Sequence, residues 1–420
     1  MLNTTIAKGR SLTVAVLFPL ALAGTLRKKM EHAFFVPDPL PIIDAKQFGS
    51  FEVEPGIVAD RVTYATEYGL RVPAIAYHPS DESVERPTLI VVNGHGGDKY
   101  SWYSVYAGVL FARAGAVVLT YDAIGEGERN SQHKSGTRQH DRYVPPDENG
   151  PRLAGLMMTD LRGAVSYLRT RKDVDSARIA AAGYSMGSFV VSIGCAVETR
   201  LHACVVAGGG DLDGPGGYWD TSNKKMCQAL PYQALRFLGD RPATIFALNA
   251  ERGPLLIWNG SADDMVAIPT HGEEFFRAMR QRTIQLLGSD KNVFEYGFTP
   301  GSGHRPYFLT RPVAAWLDRQ LHFPNWDAIA RDATKISEWA KANNVPMDKL
   351  YATEFREGGT VALGKNVPFI QRDKLNVLPE SEWEKQKSHF TLESWYQHVR
   401  AASTSGPAGQ SSAARLQSHR

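Results

Sequence analysis

The sequence predicts an α/β fold with a mostly parallel, doubly wound sheet, and three observations predict it. Short apolar runs recur at 88–92, 116–121, 179–182, 203–206, 254–258 and 293–296. Nearly all are uniform rather than alternating, as expected of strands buried on both faces. Between them stand stretches of helical period at 102–114, 152–171, 273–285 and 313–321, with a further helix-like stretch after 187. Strand and helix in alternation imply right-handed crossovers that lay helices on both faces of the sheet. The segment before this alternation has another rhythm: 60–78 alternates polar and apolar residues around Tyr68-Gly69, so a hairpin adds antiparallel edge strands.

The flanking segments are read from composition. The chain has 420 residues, 43% hydrophobic and 22% charged, which is enough apolar material for a large core. A net charge of +3 supplies no electrostatic attraction for nucleic acid or an anionic surface. Lys8 and Arg10 precede an apolar stretch, 12–22, ending in Ala21-Leu22-Ala23. That pattern is a signal peptide over 1–23 and an exported protein, periplasmic or secreted. The stretch is too short for a stable membrane span. Arg27, Lys28 and Lys29 follow at once and keep a signal anchor, or a cytoplasmic chain, as alternatives. A proline-rich linker is expected over 24–58, the main domain over 59–322, a lid-like insertion at 210–252, and an extension packed on the domain over 323–400. Within that extension 326–342 reads as one amphipathic helix, and the Ser/Gly/Ala-rich tail, 401–420, reads as disordered. Cys195, Cys204 and Cys227 have no metal-ligand spacing and are expected as buried free thiols, with a Cys195–Cys204 or Cys204–Cys227 bridge left open.

One pentapeptide carries the chemistry. Gly183-Tyr184-Ser185-Met186-Gly187 lies where the run 179–182 gives way to the helix-like stretch. A serine between two glycines at such a switch reads as a nucleophile elbow, because the backbone turns too tightly for side chains at 183 and 187. The turn exposes the Ser185 hydroxyl and aims the Met186 amide at whatever that hydroxyl attacks. A serine hydroxyl is protonated at neutral pH, so it needs a base in contact and a third group to orient the base. Asp263 follows the run 254–258 and His304 follows 293–296, about 78 and 41 residues apart in turn. Asp264 and, more weakly, Asp211 are rivals for the acid. His271 lies too near Asp263 in sequence to come from the next strand. His133, His140 and His202 read as solvated.

These stretches resemble the α/β-hydrolase superfamily over roughly 60–322. Its acid motif G-x-x-D-x-x-V stands as Gly260-Ser261-Ala262-Asp263-Asp264-Met265-Val266, and its Gly-His motif as Gly303-His304. The resemblance implies a Ser185–Asp263–His304 triad in that order. It also implies an oxyanion hole of two backbone amides, Met186 and a donor from the loop Asn93-Gly94-His95-Gly96-Gly97-Asp98. Register puts that donor at His95, with the Gly96 amide as the alternative, and Asn93 stands where the family usually has histidine. The segment from Asp122 through Gly125 and Gly127 to Arg129 resembles acetyl xylan esterase-like, dienelactone hydrolase-like and prolyl oligopeptidase-type members. In those relatives the aspartate braces the loop. Glu126 and Glu128 are then surface or structural groups, and no metal or cofactor is expected.

The resemblance implies a serine hydrolase acting on a small-molecule or carbohydrate ester, with acetylated sugar as the favoured class. A prolyl oligopeptidase-type peptidase is one alternative. Only about 60 residues precede the core, however, where those enzymes carry a large propeller. A non-catalytic binding protein of the same fold is the other, although no triad residue is lost. Specificity is expected from the insertion, which holds Tyr218, Trp219, Tyr232 and Phe237.

Overall fold

A computed structural model describes residues 20–142, 149–214, 216–345 and 360–404. The apolar runs form a sheet of nine strands: β1 (Lys46–Glu54), β2 (Ile57–Ala65), β3 (Arg71–Pro79), β4 (Arg86–Val92), β5 (Val117–Tyr121), β6 (Val174–Tyr184), β7 (Ala203–Ala207), β8 (Leu255–Gly260) and β9 (Glu295–Thr299). Their spatial order is β1-β2-β3-β5-β4-β6-β7-β8-β9. β1, β2 and β3 pair antiparallel, β3 meets β5 antiparallel, and every pairing from β5 to β9 is parallel. The expected hairpin is β2–β3, turning through Tyr68 at φ 56°.

Each central strand is buried on both faces because successive side chains feed two separate cores. In β4, Ile90 and Val92 join one cluster while Leu89 and Val91 join the other. The first cluster is covered by α1 (Leu20–Ala33), α3 (Asn149–Leu168), α4 (Met186–Val197) and the helices Arg241–Arg252 and Ile268–Leu287. The second lies under α2 (Trp102–Arg113) and the helix Arg311–Leu321. After β4 the chain runs outward to β5 and then returns to β6 on the opposite side of β4. That reversal opens a crevice at the carboxyl ends of β4 and β6, where open α/β sheets bind their ligands.

The flanking segments differ from the sequence expectations in four places. The stretch 24–58 is structured: α1 packs on α4, and β1 forms the sheet edge. Ala23 is buried inside α1, and Arg27 donates to the carbonyls of Ala196 and Leu248. Most of the apolar stretch 12–22 lies outside the described residues. Within 210–252, the helix Arg241–Arg252 is a crossover packed on α4 rather than lid, capped by the Asp240 side chain. The stretch 326–342 is broken into Asp327–Ala330, a short strand Ala333–Lys335 and Ile336–Ala342, because Ala333–Lys335 pairs with Val361–Leu363. Lastly, Cys195 and Cys204 form a disulfide joining α4 to β7, and Cys227 alone is a buried free thiol. The expected tail, 401–420, lies outside the described residues beyond Thr404.

The extension is part of the core. Trp339, Val367 and Ile370 enter one cluster, Leu392, Trp395 and Val399 the other. Arg113 binds Glu54 through two nitrogens and the carbonyls of Lys365 and Asn366. Among the described residues, no helix is long and apolar enough to cross a membrane.

Candidate active site

β6 runs without interruption into Tyr184, and α4 begins at Met186, so a single residue makes the turn. Ser185 has φ 56° and ψ −115°, a conformation costing about 1–3 kcal/mol for a non-glycine residue. The surroundings hold it there. Its amide donates to the Ala207 carbonyl at 2.9 Å, and its carbonyl accepts from the Ser188 amide at 2.9 Å and the Ser188 hydroxyl at 2.6 Å. The flanking glycines are steric necessities: a Cβ on Gly183 would lie 2.1 Å from the Gly187 carbonyl oxygen, and one on Gly187 would lie 2.1 Å from that of Val92.

Asp263 stands in the turn after β8, fully buried, with Oδ1 accepting from the Met265 amide at 3.1 Å. Its Oδ2 is 2.7 Å from Nδ1 of His304, which follows β9 and is 6% exposed. The imidazole lies against the Tyr184 ring and beneath Gly208, where a Cβ would approach within 3.0 Å of the ring. Ser185 and His304 line the same cavity of about 400 Å³, together with Gly94, His95 and Arg138. Tyr218, Trp219, Lys224 and Gln228, all from the insertion, line it as well. Burial and the nearby Asp211 carboxylate push the Tyr218 phenol up to about 12, so it stays protonated and donates to the Met265 carbonyl. Among the described residues, neither the His95 amide nor the Met186 amide has a hydrogen-bond partner. The Gly94 amide, by contrast, donates to the Tyr103 hydroxyl.

The rivals go elsewhere. Asp211 lies 2.9 Å from Nδ1 of His271, so the two form a pair of their own, away from His304. His133 is buried rather than solvated, stacked on Trp383 and bonded to Glu380. His140 is buried too, under His95; burial, with His95 beside it, holds its imidazole down at about 4. Glu126 and Glu128 are also buried, so of the surface and structural alternatives expected for them only the structural one holds. Lys99 makes this affordable for Glu128: its Nζ lies between Asp122 Oδ2 at 2.5 Å and Glu128 Oε2 at 2.7 Å. Sequence reasoning missed Arg138, Tyr184, Lys224 and Gln228 as cavity residues. Only Tyr184, inside the elbow motif, carried a signal.

Residues 149–326, which hold Ser185, Asp263 and His304, match the prolyl oligopeptidase family. The chain is 27% identical over 244 residues to two uncharacterized proteins of Mycobacterium tuberculosis, MT2364 and Rv2307c, spanning 58% of this chain and 71% of each relative. Its fold is similar to that of methylesterase BT1017, with a TM-score of 0.56 and 18% identity over 90% of this chain and 73% of that one. The chain has the α/β-hydrolase fold. Within this fold the loop after β5 is braced from the C-terminal side. Glu128 accepts from the Val377 amide, and the Glu128 carbonyl accepts from Trp383, so the C-terminal extension is tied to the loop after β5.

Proposed function

We propose that this α/β-hydrolase is a serine esterase that cleaves a carboxylic ester through an acyl-serine intermediate, with acetylated carbohydrate as the favoured substrate class. Ser185 Oγ attacks the ester carbonyl while His304 Nε2 takes the hydroxyl proton. Asp263 holds the imidazole tautomer and stabilises the imidazolium. The His95 and Met186 amides receive the oxyanion, each donor contributing about 3 kcal/mol to the barrier reduction. His304 then protonates the leaving alcohol, and water attacks the acyl-serine by the reverse route. What carries the reading is the 2.7 Å Asp263–His304 contact beside a cavity shared with a serine held at φ 56°. The methylesterase likeness fits it.

The match to the prolyl oligopeptidase family favours one second reading, a peptidase. A panel of substrates separates the two. Purified protein is expected to hydrolyse p-nitrophenyl acetate and to release acetate from acetylated xylan, and to leave a prolyl p-nitroanilide peptide intact. Faster cleavage of the anilide would replace the esterase reading with the peptidase one. We also infer export, supported by the Cys195–Cys204 bridge, since such bonds persist in oxidising compartments. Cleavage after Ala23 would remove the first turn of α1, so an uncleaved anchor is the form of export that keeps this helix whole.

A further inference from the structure

Beside the cavity, three separate segments converge on one point. His95 comes from the loop after β4, His140 and Asp141 from the turn Gln139–Arg142, and Cys227 from the turn Lys225–Ala229 of the insertion. One ligand-type atom from each of these four residues lies within 4.8 Å of the others. His95 Nε2 is 3.1 Å from Asp141 Oδ1, Cys227 Sγ is 3.5 Å from the same oxygen and 3.9 Å from His95 Nε2, and His140 Nε2 is 3.8 Å from Asp141 Oδ1. A tetrahedral ion with bonds of about 2.0–2.3 Å holds its ligand atoms about 3.3–3.8 Å apart. The four separations given above, 3.1–3.9 Å, lie close to that range, so small side-chain shifts would place the four atoms as the corners of such a site.

Hydrogen bonding within the cluster satisfies three of the four members but leaves His140 stranded. Its Nδ1 faces the Ile124 carbonyl at 3.3 Å, which sets the proton on Nδ1 and the lone pair on Nε2. That Nε2 has no hydrogen-bond partner, although the residue is only 2% exposed and the atom points at the cluster. An orphaned buried acceptor costs about 1–3 kcal/mol unless something binds it.

We propose that His95, His140, Asp141 and Cys227 form a binding site for a tetrahedral divalent transition metal, zinc by its donor set. Two neutral imidazoles, one carboxylate and one thiolate balance the charge of a divalent cation, and binding releases the Cys227 proton to solvent. All four positions are filled by protein, so the site is closed and structural rather than open to water. It ties the loop after β4 to the insertion. On the reading of His95 as an oxyanion donor, it also pins the backbone that carries that amide.

Co²⁺ added to the full chain, stripped of metal with a chelator, tests the site independently of turnover. One equivalent is expected to bind, with the intense visible bands of four-coordinate cobalt and a thiolate-to-cobalt charge-transfer band. Cys227→Ser is expected to lose the charge-transfer band, and His140→Ala to lose stoichiometric binding. Ser185→Ala is expected to keep both, showing that the reacting centre is not the binding site. Zinc is further expected to raise the melting temperature of the parent chain and not that of Cys227→Ser. If the folded parent takes up no cobalt, or if Cys227→Ser and His140→Ala bind it as the parent does, the site does not exist.

Discussion

Ser185→Ala is expected to lower kcat for p-nitrophenyl acetate by on the order of 10⁶-fold, the loss seen when a triad nucleophile is removed. The fold should remain, because only a partly buried hydroxyl goes while the backbone keeps its φ of 56° and its bond to Ala207. KM should move little, since the cavity walls from Arg138, Tyr218 and Trp219 are untouched. Steady-state kinetics and the thermal melt together check this. Turnover within tenfold of the parent in a folded Ser185→Ala chain would mean that another group performs the attack.

Lys99→Met is expected to destabilise the chain by about 3–5 kcal/mol, read from urea unfolding. Lys99 is fully buried and is the cation between Asp122 and Glu128, themselves 0% and 1% exposed. A buried ion pair gains little over an apolar replacement, because desolvation offsets most of the attraction. Removing one partner is different: it leaves two carboxylates facing one another without water. The Glu128 end also accepts from the Val377 and Leu378 amides, so the C-terminal extension should loosen with it. Lys99→Met combined with Asp122→Asn and Glu128→Gln should recover most of the loss, which a mere packing defect would not allow. A single-variant loss below about 1 kcal/mol would show that the cluster is not held by its charges.

The strands were legible because burial on both faces leaves uniform apolar runs, and β4 through β8 stand within a few residues of their expected bounds. The run at 293–296 was less so: Val293 and Phe294 are buried before the strand starts at Glu295. The elbow was legible because its constraint is local, a turn that admits nothing larger than glycine at 183 and 187. Long-range partnership was not. Nothing near Glu128 in sequence announces Lys99 or Val377, so the choice between a surface and a structural glutamate stayed open. The same holds for His140, whose neighbours His95 and Cys227 lie 45 and 87 residues away. The break at 333–335 was hidden for a related reason. Helical periodicity there is overridden by a strand partner nearly 30 residues further on.

A fluorophosphonate probe reacts with serines activated by a neighbouring base and not with ordinary hydroxyls, so its site of attachment tests the triad directly. After incubation and proteolysis, mass spectrometry should find one adduct, on Ser185, and Ser185→Ala and His304→Ala should both abolish it. An unlabelled parent chain, or an adduct on any other residue, would contradict a nucleophile at Ser185 and favour a binding protein of the same fold.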